Sequence, residues 1–168
     1  MTLKFFYFGP GDDGCAEPFS TFNKLKYLSL YCCKVWNARV LSISSITLVN
    51  LTISYGYYLS YKLSAPCLRN FAFTGSPNQK LYGSHLFCVK HLYINALMVS
   101  FDVTTTEEDS LVLLNWLLEF TNIKSLTMSS STLEVLRLHF YFVFKMLSWV
   151  ASFFIYLYIS SQIYDYWS

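Results

Sequence analysis

Four groups of residues in this 168-residue chain have types and spacings that chemistry can use, and each also has a plain structural role. Gly9-Pro10-Gly11-Asp12-Asp13-Gly14 matches Gly-x-Gly-x-x-Gly, the pattern that lets backbone approach a pyrophosphate. Such a site also needs a helix opening directly behind the last glycine. Cys15-Ala16-Glu17-Pro18 follows instead, and two aspartates repel a phosphate, so the run reads as a polar turn between repeats. His85, Cys88 and His91 offer two imidazoles and a thiol, the raw material of a metal site or an activated nucleophile. No carboxylate lies near in sequence to orient a base, and His91 falls at an outward strand position, so a solvent-facing histidine is the expectation. Glu107-Glu108-Asp109 suits the positive end of a helix better than a paired-carboxylate acid and base. Nothing assembles into a catalytic constellation, and no enzyme activity, cofactor or metal is expected.

The fourth group is Tyr55, Tyr57, Tyr58 and Tyr61, behind the third strand-like run. Tyrosine joins a large apolar body to a polar tip and serves as an interface anchor. Tyr57 and Tyr58 are therefore partner-facing candidates. The other reading of the cluster is an aromatic turn packed on its neighbour.

Around these groups runs a repeated phrase, Leu-x-x-Leu-x-Leu or an apolar variant. It reads Leu3-x-x-Phe6-x-Phe8, Leu25-x-x-Leu28-x-Leu30, Leu48-x-x-Leu51-x-Ile53, Leu68-x-x-Phe71-x-Phe73, Val89-x-x-Leu92-x-Ile94 and Ile123-x-x-Leu126-x-Met128. Every step between successive starts except the last falls in the leucine-rich-repeat period of roughly 20–29 residues. Each phrase predicts a short strand, near residues 3–8, 25–30, 48–53, 68–73, 89–94 and 123–128. Apolar residues at its fourth and sixth positions pack on the next repeat, because one unit cannot bury its own apolar face. Ser29, Thr52, Ala72, Tyr93 and Thr127, lying between them, face the concave side and are the candidate partner-binding residues. Cys33 occupies the Asn/Cys slot of the consensus, where a small side chain turns inward. The predicted fold is an α/β leucine-rich-repeat solenoid, a ribonuclease-inhibitor-like arc with a parallel β-sheet on its concave face. Such a solenoid is a surface for binding.

The connections agree with stacking. Asn37 to Ser45 reads as a short return segment, Ala65-Pro66 enters the next strand in extended form, and Thr74-Gly75-Ser76-Pro77 turns out of it. The long step holds a helix near 107–120, with Thr104-Thr105-Thr106 as its N-cap region. Its apolar stripe is Leu111, Leu114, Leu117 and Leu118, broadened by Val112 and Trp116, and Asn122 is placed to end it. Thr132 to Leu138 repeats the phrase too soon for another full unit; it is either the return of the last repeat or a further strand.

Composition bounds the partners. Hydrophobic residues make up 54% of the chain and charged ones 13%, with five cysteines and a net charge of +2. Basic residues are scattered singly, which gives nucleic-acid binding no support. The cysteines lack metal or disulfide-framework spacing, and Cys32 and Cys33 are adjacent, so free thiols in a reducing compartment, the cytoplasm or nucleus, are expected. Phe5-Phe6-Tyr7-Phe8 is too short for a signal peptide, and the sequon Asn50-Leu51-Thr52 reads as part of a strand. The repeat domain is taken as residues 1–138. Residues 139–168 form an aromatic hydrophobic tail. The uncharged run from Met146 to Tyr164 is close to the ~20 residues that span a bilayer. The alternatives are a membrane span, giving a tail-anchored protein that displays the repeats to the cytosol, and a buried or aggregation-prone tail.

Glu17-Pro18-Phe19-Ser20-Thr21-Phe22-Asn23-Lys24-Leu25-Lys26, Leu48-Val49-Asn50-Leu51-Thr52, Leu63-Ser64-Ala65-Pro66-Cys67-Leu68 and Phe71-Ala72-Phe73-Thr74-Gly75 are phrases with a family character. With Val112-Leu113-Leu114-Asn115-Trp116-Leu117 and Asn122-Ile123-Lys124-Ser125-Leu126-Thr127, the region from Cys15 to Leu138 resembles the repeats of plant F-box/leucine-rich-repeat proteins of the FBD-associated type. The resemblance implies a substrate-recognition surface of a cullin-based ubiquitin ligase. The family's F-box, which docks a Skp-type adaptor, does not precede Leu3, so that adaptor is not an expected partner. Further repeats are replaced after Leu138 by the aromatic tail, which suggests a fragment of a longer receptor. The expected activity is non-enzymatic binding of a protein target.

Overall fold

Tyr27-Leu28-Ser29-Leu30-Tyr31 alternates outward and buried side chains, the period of a strand with one face in a core. Asn50–Ser54 and Asn70–Gly75 repeat the alternation. In the computed structural model, which describes residues 1–11, 14–56, 60–76, 79–97 and 103–137 (backbone only over 103–110), such strands stack in parallel into a repeat solenoid. The long sheet runs, in spatial order, through Thr2–Lys4 (β1), Tyr27–Tyr31 (β4), Asn50–Ser54 (β7), Asn70–Gly75 (β9), His91–Ala96 (β11) and Ser125–Met128 (β12).

The return segments are mostly strands too. A second parallel sheet runs through Lys80–Ser84 (β10), Ser60–Ser64 (β8), Val40–Ser44 (β6) and Cys15–Ala16 (β3). The return expected between Asn37 and Ser45 is thus β6. Val40 pairs with Ser60 and Ser60 with Lys80, so successive returns advance by one coil of constant length. A small third sheet joins Tyr7–Phe8 (β2) to Lys34–Val35 (β5). Helices appear late, as α1 over Val103–Glu119 and a helical segment over 130–137. The α/β expectation is correct for these last coils only; the earlier ones are closed by strands.

The core lies between the sheets and is built in ladders. Leu28, Leu51, Phe71 and Leu92 are register neighbours, as are Leu30, Ile53, Phe73 and Ile94, and all eight are buried. Leu25, Leu48, Leu68 and Val89, which open the phrases, are buried in the turns below. Each fully buried side chain of this size contributes about 1.5–3 kcal/mol, and only stacking makes that burial available. From the opposite sheet come Leu41, Tyr61 and Leu81, then Ile43 and Leu63. Gly83 holds the next place in that second row. A Cβ there would stand 2.7 Å from Leu86 Cγ, so Leu86, from the short 3-10 turn Leu86–Cys88, takes the room the missing side chain leaves.

The first phrase belongs to a different register from the one its spacing predicts. Leu3 pairs with Leu30, not Leu25, and the strand expected over 3–8 is divided into β1 and β2. Thr2 lies beside Ser29, so the first step in the long sheet is longer than the phrase spacing implies. Phe6 is exposed, whereas Phe8 is buried with its ring 5.5 Å from Phe19. The phrase spacing would bury both Phe6 and Phe8; the chain buries Phe8 alone, with Leu3 beside the sixth place of the next phrase rather than its first.

Helix α1 begins at Val103, so Thr104 to Thr106 lie inside it rather than capping it. Its inward residues Leu113 and Trp116 are buried, as is Phe120 just behind it, while Leu111 and Leu118 of the predicted stripe are exposed. The physical reason is Trp116, which meets Phe73 at 4.7 Å, Tyr61 at 6.4 Å and Phe71 at 6.4 Å between ring centroids. This aromatic cluster is the large apolar surface within the helix's reach, and it rotates the helix onto that face. Trp116 Nε1 also donates to the Gln79 carbonyl at 2.9 Å. The helix ends before Asn122, which lies in the turn behind it.

Segment 130–137 resolves the two readings of Thr132 to Leu138 in favour of a helical return. Ser129 Oγ accepts the Thr132 N–H at 3.2 Å, an N-cap bond that satisfies one first-turn donor. Thr132 is itself fully buried: its Oγ1 accepts from the Ala96 N–H at 2.8 Å and donates to the Ile94 carbonyl at 3.1 Å. One hydroxyl thereby ties this helix to the end of β11. Leu138 and residues 139–168, including the candidate span 146–164, lie outside the described residues; no helix among those described is long and apolar enough to cross a membrane.

Candidate functional site on the outward face of the long sheet

Alternation sends every second residue of the long sheet away from the core. The five residues expected to face a partner are register neighbours across five strands: Ser29 beside Thr52, Thr52 beside Ala72, Ala72 beside Tyr93, and Tyr93 beside Thr127. Side chains a full coil apart in sequence thus come to stand about 4.8 Å apart, one strand from the next. Tyr93 and Thr127 are exposed and the other three half-buried. Tyr57 and Tyr58 lie outside the described residues.

A shallow cavity of about 200 Å³ opens on this face. Thr52, Ala72, Tyr93 and Thr127 line it, together with a second row, Asn50, Asn70, His91 and Ser125, of which sequence reasoning had placed only His91 outward. That row occupies the third position of each phrase, one outward place before the first row, so aligning the phrases would have exposed it. Asn70 Nδ2 donates to Asn50 Oδ1, which fixes the two amides side by side. The sequon asparagine, Asn50, is the first residue of strand β7, paired on both sides.

One corner of the sheet carries aromatic rings in sequence. Phe5 meets Tyr31 edge to face at 5.6 Å, and Tyr31 meets Tyr55 edge to face at 5.5 Å. Phe5, Cys32 and Tyr55 all have positive φ, at 56°, 48° and 54°, because the chain leaves the strand there by the same left-handed corner in three coils. The Cys32 thiol foremost, then partial burial and Tyr55, push the Tyr31 hydroxyl above its usual range. The tyrosine group is split: Tyr55 is at the exposed corner, but Tyr61 points inward against Phe73 and Trp116. Tyr61 is core, because it lies on the inward phase of β8 beside Leu41 and Leu81.

The groups considered for chemistry belong to separate parts of the chain. Gly14 has φ 72° and its N–H reaches the Gly11 carbonyl, closing a turn between β2 and β3 with no helix behind it. His85 sits before the 3-10 turn, and His91 is exposed on the long sheet. Among the described residues no group of three His, Cys, Asp or Glu side chains could hold a metal ion. The five cysteines are thiols outside any disulfide. Cys33 is buried, its Sγ 3.6 Å from the Leu3 carbonyl and 3.5 Å from that of Tyr31, in the inward position its slot predicts. No protein-family model, no curated protein and no solved structure matches the chain.

Proposed function

We propose that this chain is a non-enzymatic protein-interaction module of the leucine-rich-repeat kind, binding its target on the outward face of the long sheet. The observation that carries the reading is the row of Ser29, Thr52, Ala72, Tyr93 and Thr127, gathered from five coils, four of whose residues line one shallow cavity. The repeat class is supported by coils from β4 to β11 that fall within the period of roughly 20–29 residues. The buried phrase positions and the inward Cys33 support it as well. The resemblance to plant F-box/leucine-rich-repeat proteins makes the target a substrate of a ubiquitin-ligase receptor, with the repeats acting as its recognition surface.

The test begins with a partner identified by mass spectrometry after co-purification, whose affinity is then measured by calorimetry. The Tyr93→Glu/Thr127→Glu variant is expected to lose at least about tenfold in affinity, as loss of an interface anchor requires. Unchanged affinity in that variant removes the face from the proposal. A second reading, a tail-anchored protein displaying the repeats, rests on the uncharged run from Met146 to Tyr164. Release of the full-length chain from membranes by alkaline carbonate would overturn it.

A further inference from the structure

The basic residues are single in sequence but not in the fold. From β4 to β12, the residue directly before each long-sheet strand forms a backbone ladder of its own. The Lys26 carbonyl accepts from Val49 and Asn50, the Val49 carbonyl from Arg69 and Asn70, the Arg69 carbonyl from Lys90 and His91, and the Lys90 carbonyl from Lys124 and Ser125. Lys26, Arg69, Lys90 and Lys124 thereby stand along one rim of the sheet, Lys90 half-buried and the others exposed. At about 4.8 Å per strand, the four cations spread over roughly 19 Å.

Acidic residues fall elsewhere in the fold. Among the described residues, Glu17 follows β3 of the second sheet, Glu107, Glu108, Asp109 and Glu119 belong to α1, and Glu134 belongs to segment 130–137. None of the long-sheet strands contains Asp or Glu. Three positive charges directly before adjacent strands, Arg69, Lys90 and Lys124, with Lys26 one place beyond Val49, have no counter-charge on their own sheet and repel one another, and an anionic partner relieves that cost.

We infer that this rim docks an acidic peptide segment of the partner, laid across the strands. This rests on the outward face being the binding face. Carboxylates pair with Arg69, Lys90 and Lys124, while the adjoining Asn50, Asn70, His91 and Ser125 offer hydrogen bonds to the peptide backbone. An extended peptide at about 3.3 Å per residue covers the rim in roughly six residues. A protein segment fits better than a nucleic acid, whose binding relies on many more phosphate contacts than four cations supply.

The test is anisotropy of a fluorescein-labelled hexaglutamate peptide, titrated with the full chain at low and physiological ionic strength. Arg69→Glu/Lys90→Glu/Lys124→Glu is the rim variant, and Lys62→Glu/Lys80→Glu/Arg137→Glu changes the net charge equally on the return side. The expected result is salt-sensitive binding that the rim variant weakens by about tenfold or more and the return-side variant by no more than about twofold. Absence of binding, or equal weakening in both variants, overturns the inference. Tighter binding of an oligothymidylate than of the peptide also overturns it, in favour of nucleic acid. Because hexaglutamate reads the rim and the identified partner reads Tyr93 and Thr127, the inference and the proposed function fail on separate measurements.

Discussion

The first coils of this solenoid return through strands and the last ones through helices. The difference follows from coil length. Between Val40 and Lys80 the coils are short, and each return is a five-residue strand, about 17 Å long at 3.3 Å per residue. From β11 to β12 the coil is longer, since His91 pairs with Ser125, and its return is the helix α1, about 25 Å long at 1.5 Å per residue. A helix absorbs extra chain at less than half the rise, so a longer coil still closes on its neighbour. The long sheet fixes the repeat, while the return takes whichever structure the available length permits.

The seam between the two regimes is held by Trp116, which joins α1 to Tyr61, Phe71 and Phe73 of the strand-closed coils. Trp116→Ala is expected to cost about 3–5 kcal/mol in chemical denaturation. Leu118→Ala, at an exposed helix position of the stripe that spacing alone predicts, is expected to change stability by no more than about 0.5 kcal/mol. Equal effects would mean that the helix packs through the predicted stripe. Thr132 tests the second helical return: Thr132→Val leaves the buried Ala96 N–H without its acceptor, for an expected loss of about 1–3 kcal/mol. Hydrogen exchange should place that loss at the Ala96 amide, with the amides of β6 and β8 unchanged.

The last effect falls on the strand-closed side and has the opposite sign. Cys32 turns its corner at φ 48°, a conformation that costs a non-glycine residue about 1–2 kcal/mol. Cys32→Gly should therefore raise stability, by about 0.5–1 kcal/mol after the added unfolded-state entropy of glycine is subtracted. A lower thermal midpoint in that variant would show that the thiol's own contacts outweigh the corner strain.

Stacking was already legible in the order of residue types. Leu, Ile, Phe and Val at the first, fourth and sixth places of four successive phrases can be buried together only if each coil lies on the next, and this is what the buried ladders display. The row from Ser29 to Thr127 was legible too, since alternation leaves those residues no other face. Register at the N-terminal end was decided in three dimensions: the phrase puts Leu3 beside Leu25 and buries Phe6 with Phe8, whereas pairing sets Leu3 beside Leu30 and leaves Phe6 exposed. The helix face was decided there as well, by the aromatic surface Trp116 finds. So was the basic rim, whose Lys26, Arg69, Lys90 and Lys124 lie whole coils apart along the chain. Hydrogen bonding between parallel strands turns those separations into places along a single edge, and local sequence carries no record of that closeness.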